Sequence, residues 1–447
     1  MTDTKRTAAI ITFGCKVNQT ESAAMEHALR EAGYEVVHGF PKDTADLVVV
    51  NTCVVTSRAE AECRRAVKRV HRTLPQADIA VAGCYSEIAG PEIAKLPGVR
   101  FVIGNTEKER FPKEARLPTD GSSVRIQTGS VWNNPTFSNE GAHSLLGKTR
   151  VFLKIQDGCE SFCSYCIVPY TRGRSRSLAP DAVLGRLREI GDRGVQEAVL
   201  TGIHLGRYGR DTAPPTSLLD LLQQIEIERP VPRIRLSSIE PLELSEELIT
   251  AVAESRCVAP HFHVPLQSGD PEILKNMNRN YSPDLYAHVV TAIKEALPSA
   301  AVGADVIVGF PGEQDAHFQK TIDLVSSLPL SYLHVFKYSK RSGTPASRMK
   351  NQVSQEILEQ RSRALIELGL KKRAMFRRSW IGRTARLLVE GSPDRRTGLH
   401  KGYTDEYVPV HVSAHRETTN RLVRVRIVRI DKEILYGEVL TSENDAS

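Results

Sequence analysis

Two groups of three cysteines stand out in a chain of 447 residues that has only eight. The first is Cys159, Cys163 and Cys166 in KIQDGCESFCSYCIVPYTRG, a C-x3-C-x2-C arrangement directly after the run VFLKIQ. Three thiolates on one tight loop hold three irons of a 4Fe-4S cube and leave the fourth open to bind a substrate, whereas a four-cysteine site is closed and mainly carries electrons. A structural zinc loop is the competing reading. Zinc prefers four ligands in such sites, and Asp157 and Glu160 are poor fourth ones, so the cluster is favoured. The second group is Cys15, Cys53 and Cys84, which end the runs IITFGC, VVVNTC and IAVAGC. Each thiol therefore follows a predicted strand at its carboxyl end. Neighbouring parallel strands lie about 4.8 Å apart, and open α/β sheets bind ligands in the crevice beyond those ends. Three unrelated buried thiols are the bland alternative, and equivalent placement at three strand ends argues against it. Cys63, inside a predicted helix, and Cys257, in a helix-to-strand connection, read as structural.

The elements that must position these thiols follow two grammars. Residues 6–110 alternate β-branched runs (TAAIITF, DLVVVN, DIAVAG, FVIG) with helical patterns near 20–32 and 57–72, the signature of an open parallel α/β sheet. Residues 111–148 scatter Pro, Gly, Ser and Asn around Trp132 and read as a linker. From 149 to 375 six candidate strands (VFLKIQ, AVLTGI, RIRLSSI, HFHVPL, GADVIVGF and YLHVFKY) are separated by helical patterns such as 179–194 and 217–228. Six βα units imply a partial (β/α)6 barrel with its site at the carboxyl ends of the strands. After a helical segment over 354–376, short alternating runs in 376–441 read as a small antiparallel β-barrel.

Length alone predicts about three domains, at roughly one to two hundred residues each. Apolar residues are 40% and charged residues 25% of the chain, an ordinary globular balance that excludes wholesale disorder. The net charge is +7, and residues 371–447 hold 16 Lys/Arg against 10 Asp/Glu, so nearly all the excess sits at one end. KKRAMFRRSWIGRTAR (371–386) and Arg421, Arg424, Arg426 and Arg429, with Phe376 and Trp380 interleaved, suit phosphate neutralisation and base stacking. No stretch approaches the roughly 20 apolar residues of a membrane span and no cleavable signal opens the chain, so a cytoplasmic protein with sparse, reduced thiols is expected.

The motifs resemble those of the methylthiotransferase family of radical S-adenosylmethionine enzymes over nearly the whole chain. TFGCKVNQTES (12–22), NTCVVTSRAE (51–60) and AGCYSE (82–87) are similar to the family's auxiliary-cluster domain. GCESFCSYCIVPYTRGRSRS (158–177), LTGIHLGRYG (200–209), RIRLSSIEP (233–241), HVPLQSGDPEILKNMNR (263–279), GADVIVGFPGE (303–313) and KYSKRSGTP (337–345) resemble its radical domain. Residues 376–441, with GYTDEYVPV, resemble the TRAM module, a small RNA-binding barrel. GCKVNQ, TGIHLG and RLSSIEP are most similar to the branch that acts on N6-threonylcarbamoyladenosine beside the tRNA anticodon.

The resemblance implies two 4Fe-4S clusters, a radical one on Cys159, Cys163 and Cys166 and an auxiliary one on Cys15, Cys53 and Cys84. One S-adenosylmethionine would supply a 5′-deoxyadenosyl radical and a second the methyl group, while the auxiliary cluster carries the sulfur. The implied partners are tRNA at its anticodon loop, a reductant and a sulfur donor, with no membrane. An aromatic residue usually precedes the third radical cysteine, and Tyr165 stands there. The other strand ends, Gly202, Ser237, Ser238, Gln267 and Asp305 with its neighbours Val306 and Ile307, are expected to shape the S-adenosylmethionine pocket. Individually these are weak, since Ser and Gly after a strand are commonly turn formers. His204, His261 and His263 read as packed, hydrogen-bonded residues without a role. The alternatives are methylthiolation of another tRNA adenosine or of a protein side chain, and, from another class, a non-catalytic iron–sulfur redox sensor that binds RNA.

Overall fold

The β-branched runs and amphipathic stretches become strands and helices in a computed structural model that describes residues 6–41, 44–108, 110–111, 124–133, 137, 149–415 and 417–440. In the first part β1 (Thr7–Thr12), α1 (Lys16–Glu31), β2 (Glu35–His38), β3 (Leu47–Thr52), α2 (Ser57–Thr73), β4 (Asp78–Gly83), α3 (Cys84–Ala94), β5 (Val99–Ile103) and β6 (Arg125–Gln127) follow one another. The sheet order is β2-β1-β3-β4-β5-β6 and every neighbouring pair is parallel. β3 is buried along its whole length, as a strand covered on both faces must be, which is why it reads as a continuous apolar run.

Two strands escape the sequence pattern. β2 is short and three of its four residues are exposed. β6 falls within the stretch read as linker, yet Phe101, Val102 and Ile103 of β5 pair with Arg125, Ile126 and Gln127. Residues 112–123, 134–136 and 138–148 of that stretch lie outside the described residues. Trp132, also in it, stacks on Phe162 of the three-cysteine loop with ring centroids 5.5 Å apart and planes 6° from parallel.

The second part runs through β7 (Val151–Lys154), β8 (Gln156–Asp157), α4 (Val168–Arg172), β9 (Arg176–Ser177), α5 (Pro180–Asp192), β10 (Glu197–Thr201), α6 (Leu218–Glu228), β11 (Arg233–Leu236), α7 (Glu246–Glu254), β12 (His261–His263), α8 (Pro271–Asn276), α9 (Pro283–Ala296), β13 (Ala301–Val308), α10 (Asp315–Ser327), β14 (Tyr332–Lys337) and α11 (Gln355–Arg378). Helix starts are written locally: Ser217 and Asp220 form a capping box on α6, and Pro180 opens α5. The parallel triplets β7-β10-β11 and β12-β13-β14 are joined by bridges at Ser238–His263 and Ile234–Val258, giving the six-stranded partial barrel. Its apolar core runs from Val151 through Leu200, Ile234 and Val302 to Val306, clad by Leu187, Leu221, Val290 and Val325 of the helices.

The third part, β15 (Thr384–Pro393), β16 (His400–Thr404), β17 (Pro409–Val412), β18 (Leu422–Asp431) and β19 (Ile434–Val439), closes into a barrel in the order β15-β16-β17-β19-β18. The expected antiparallel pairing holds except between β17 and β19, which run parallel. Trp380 is buried in this barrel's core and Phe376 packs edge-on against it, so the aromatics read as base-stacking groups are spent on packing instead. Among the described residues no helix is long and apolar enough to cross a membrane.

Candidate functional site

The loop that carries Cys159, Cys163 and Cys166 is clipped at its base. β8 pairs antiparallel with β9, Gln156 with Ser177 and Asp157 with Arg176, so the loop leaves and returns at one place. Gly158 sits at φ +76°, and a β-carbon there would overlap the Arg174 carbonyl, so only glycine permits the clip. The backbone N–H of Cys159 donates to the Gly173 carbonyl at 3.0 Å and that of Cys166 to the Cys163 carbonyl at 2.9 Å. Ser164 ties the loop to the far side of the barrel, donating to the Met277 carbonyl and accepting from the Ala346 N–H.

Each thiol of this loop has a different electrostatic setting. Cys159 Sγ lies 3.4 Å from His204 Nδ1, and the other nitrogen of His204 meets Glu243 at 2.6 Å. Burial raises the Cys159 pKa, but the hydrogen bonds and charge of His204 with the Ser161 contacts outweigh it and hold the thiol below its ordinary value. His204 in turn is pushed up to about 9, because its Cys159 and Glu243 bonds overcome burial. Cys163 Sγ accepts a hydrogen bond from Arg279 Nη1 at 3.2 Å, and Arg279 also pairs with Glu240. Cys163 is raised by burial despite that arginine, and Cys166 is pushed up to about 12 by burial and then by the Cys163 charge. His204, read from the sequence as a packed residue without a role, instead touches a thiol of the loop, and Arg279 was not singled out, since neither residue carries a sequence signal of its distant partner.

Cys15, Cys53 and Cys84 follow β1, β3 and β4, three adjacent strands of one sheet. Gly14 turns at φ +100° and a β-carbon on it would lie 2.8 Å from Cys53 Cβ, while Gly83 turns at φ +108° with a β-carbon 2.7 Å from the Thr52 carbonyl. The glycine before each of Cys15 and Cys84 thus lets neighbouring strand ends crowd together. Cys53 is pushed up to about 11 by burial, with the Cys84 and Cys15 charges adding to it, and Cys15 is raised by burial and feels Cys84. The three thiols therefore lie within one another's field. Asn105 Nδ2 donates to Cys84 Sγ at 3.5 Å. Of the other cysteines, Cys63 sits inside α2 and donates to the Cys53 carbonyl at 3.9 Å, and Cys257 donates to Glu226 at 3.4 Å.

One buried side chain ties together the elements that carry the two thiol groups. Arg172, the last residue of α4, donates to Asn18 Oδ1 and to Glu21 Oε1 of α1, each at 2.7 Å, and to Asp157 at 3.0 Å. Its charge acts on Cys15, Cys53 and Cys84. Lys108 at 2.5 Å and Lys154 at 3.5 Å complete the cage around Glu21. Asn18, fixed by Arg172, donates to the Phe13 and Thr52 carbonyls at 2.7 and 2.9 Å, bracing the turns before Cys15 and Cys53.

The residues expected to form the S-adenosylmethionine pocket divide in two. Ser237, Ser238 and Asp305 line one cavity of about 620 Å³, which also takes in Lys16 of α1, Arg150, Arg235 and the barrel residues Tyr403 and Tyr407. The Ser237 hydroxyl is buried and has no hydrogen-bond partner among the described residues. Asp305 bonds His263 Nε2 at 2.8 Å and His334 Nδ1 at 3.2 Å, and these partners hold its carboxyl far below the ordinary range against the effect of burial. Tyr165, Gly202 and Gln267 do not line the cavity. Tyr165 packs with Ile273, Met277 and Phe310. A β-carbon on Gly202 would meet Gln156 Oε1 at 2.8 Å, so a packing reason accounts for it locally. Gln267, at φ +64°, bridges to Val306 and accepts from the Ile307 N–H at 2.9 Å, prolonging the strand contact with β13.

A [4Fe-4S] cluster requires a soft donor set, and each thiol triplet provides one: three cysteines gathered by a clipped loop or by adjacent strand ends, without a fourth cysteine in either group. Both sets fit. The orphaned Ser237 hydroxyl beside a nucleoside-sized cavity likewise fits a polar ligand such as S-adenosylmethionine.

Comparison with known proteins matches two stretches of the chain to family models. Residues 7–104 match the Uncharacterized protein family UPF0004 and residues 153–325 the Radical SAM superfamily. The chain is 36% identical over 435 residues to the threonylcarbamoyladenosine tRNA methylthiotransferase MtaB of Bacillus subtilis (strain 168), covering 95% of this chain and 94% of the relative. It is 34% identical to the protein of the same name from Aquifex aeolicus (strain VF5), covering 94% and 99%. Among solved structures, the radical S-adenosylmethionine methyltransferase TsrM from Kitasatospora setae, with cobalamin and a [4Fe-4S] cluster bound, superposes with a TM-score of 0.57 at 16% identity, covering 76% of this chain and 77% of that one, a likeness of fold alone.

Proposed function

The chain belongs to the tRNA methylthiotransferases, a family of radical S-adenosylmethionine enzymes that use [4Fe-4S] clusters, and from that premise we propose that it converts the C2–H bond of N6-threonylcarbamoyladenosine beside the tRNA anticodon into C2–S–CH3. The observation that carries this reading is the pair of incomplete thiol triplets on elements that Arg172 ties together through Asn18, Glu21 and Asp157. Cys159, Cys163 and Cys166 and, separately, Cys15, Cys53 and Cys84 would hold the two clusters, which would supply the electron for cleaving S-adenosylmethionine and a place for the sulfur. Such an expensive radical is warranted because polar acid–base catalysis does not readily break an unactivated aromatic C–H bond, and the protein's part is to position the reactants.

The side chains divide that labour. His204 and Arg279 direct donors at Cys159 and Cys163 and so favour the thiolate that a metal requires, and Asn105 donates to Cys84 Sγ. Ser237, Ser238 and Asp305 offer polar groups to S-adenosylmethionine on the cavity wall. Tyr403 and Tyr407 offer stacked rings to a base, and an unpaired base of the anticodon loop reaches such a cavity at little cost in unstacking. The exposed Arg424 and Arg426 of β18 give the small barrel a phosphate-binding face. The proposed place of action is the cytoplasm, where tRNA is matured.

Nucleoside mass spectrometry of tRNA from cells lacking this protein tests the assignment. Loss of the methylthio form of threonylcarbamoyladenosine, with its precursor accumulating, is the expected result. Loss of another methylthioadenosine would move the reaction to a different base, and an unchanged profile would remove tRNA as substrate. The redox-sensor alternative fails if the reconstituted protein, given S-adenosylmethionine and a reductant without oxygen, releases 5′-deoxyadenosine.

A further inference from the structure

The cavity of about 620 Å³ is bounded by all three parts of the chain, and its charged lining is lopsided. Lys16, the first residue of α1 and the neighbour of Cys15, reaches it from the N-terminal sheet domain. Arg150 and Arg235 reach it from the partial barrel, so three positive side chains line one cavity. The acids nearby are already engaged. Glu197 serves Arg233 at 2.6 Å and Arg235 at 3.1 Å, Glu390 serves Arg150 at 3.1 Å, and Asp305 serves its two histidines. Glu406, also in the wall, is pushed towards its neutral form by burial. Among the described residues Lys16 forms no ion pair, although it shares the cavity wall with two guanidinium groups. A partly buried cation without a counter-charge, such as Lys16, costs free energy unless an anion joins it.

We propose that Lys16, with Arg150 and Arg235, forms a carboxylate-binding subsite that takes the threonyl carboxylate of the substrate base and sets the enzyme's choice among tRNA adenosines. The inference rests on the functional reading above and specifies which group of the base is recognised. A carboxylate fits better than a backbone phosphate. The subsite lies inside the cavity beside the stacked rings of Tyr403 and Tyr407, 4.7 Å apart, where a base and its side chain belong, whereas arginines for the backbone stand exposed on β18. Lys16 follows Cys15 directly, so an anion held by its ammonium anchors the base next to the auxiliary thiols.

The test is equilibrium binding, without oxygen, of the cluster-loaded full chain to two anticodon stem-loops, one with threonylcarbamoyladenosine and one with its methyl ester, which removes the charge and keeps the shape. The acid is expected to bind roughly tenfold to a hundredfold more tightly, the range of a charge-assisted contact. K16Q is expected to bind both RNAs alike, at the level of the ester, and K16R to retain most of the preference. Equal affinity of the native chain for acid and ester, or a preference that survives K16Q, overturns the subsite. Turnover of the two RNAs separates this from the parent reading. If the native enzyme methylthiolates acid and ester with equal efficiency, the subsite alone is wrong. If it cleaves S-adenosylmethionine yet modifies neither, the assignment of the base falls and the subsite with it.

Discussion

Gly158 shows how a single backbone position decides whether the radical loop exists. At φ +76° and pressed against the Arg174 carbonyl, it has no space for a side chain. G158A is expected to open the β8–β9 clip and lose the iron of Cys159, Cys163 and Cys166 while keeping that of Cys15, Cys53 and Cys84, roughly halving iron per chain in a colorimetric assay. G185A is the control: that glycine lies within α5 with nothing near its added β-carbon, and alanine there should be neutral or stabilise by up to about 1 kcal/mol. The thiols themselves were legible in the sequence, because spacing marks one group and strand-end placement the other. His204, Arg279 and Arg172 were not. Their partners Cys159, Cys163 and Glu21 lie 45, 116 and 151 residues away, and only the closed barrel and the domain contact bring them together.

At the scale of elements the five-residue helix α4 matters most, because it delivers Arg172 to Asn18 and Glu21 of α1. R172M removes the cation from a buried acid pair and is expected to destabilise the contact between the two domains by about 3–5 kcal/mol, read as a lowered midpoint of urea unfolding. Acid should produce a milder version. Burial pushes the Glu21 and Asp157 carboxyls up, but Arg172 and the lysines outweigh it, leaving Glu21 well below its ordinary 4.5 and Asp157 at about 2 rather than 3.8. Groups depressed in this way contribute stability that is fully present above their unfolded values and is lost as the pH falls towards 2. Limited proteolysis between pH 5 and pH 2.5 should show the domain contact loosening, and R172M should show little such dependence. The alternating βα grammar was readable for most elements. β6 was not, because three residues at a sheet edge, two of them exposed, carry neither alternation nor an apolar run.

At the scale of the whole molecule, buried charge helps hold the small barrel against the partial one. Arg233 and Arg235 of β11 bond Asp405 and the Tyr403 and Thr404 carbonyls, so the barrel's position relative to the cavity is fixed by directional contacts. Its outer face behaves differently. Arg424 and Arg426 alternate outward along β18, and an irregularity between Ile427 and Arg429 keeps Arg429 exposed over the Tyr436 ring at 3.8 Å. If these arginines contact phosphates, the double variant R424Q/R426Q should reduce the slope of log affinity for tRNA against log salt by about 1.4–1.8, two contacts at roughly 0.7–0.9 each. Binding titrations at several salt concentrations measure it. The charge of this region was plain in the sequence, whereas the burial of Trp380 was not, since an aromatic among arginines looks the same whether it faces solvent or a core.

The Arg172 contact also bears on how the chain matures on the ribosome. The sheet of residues 7–127 is continuous in sequence, yet the acid on its first helix awaits a guanidinium encoded 151 positions later. Until that residue emerges from the exit tunnel, Lys108 alone neutralises Glu21 from within the sheet domain, and Asn18 lacks the donor that orients it to brace two of the cysteine turns. A nascent N-terminal domain should thus remain loosely ordered around its thiols, and acquire metal only once the radical loop has been synthesised.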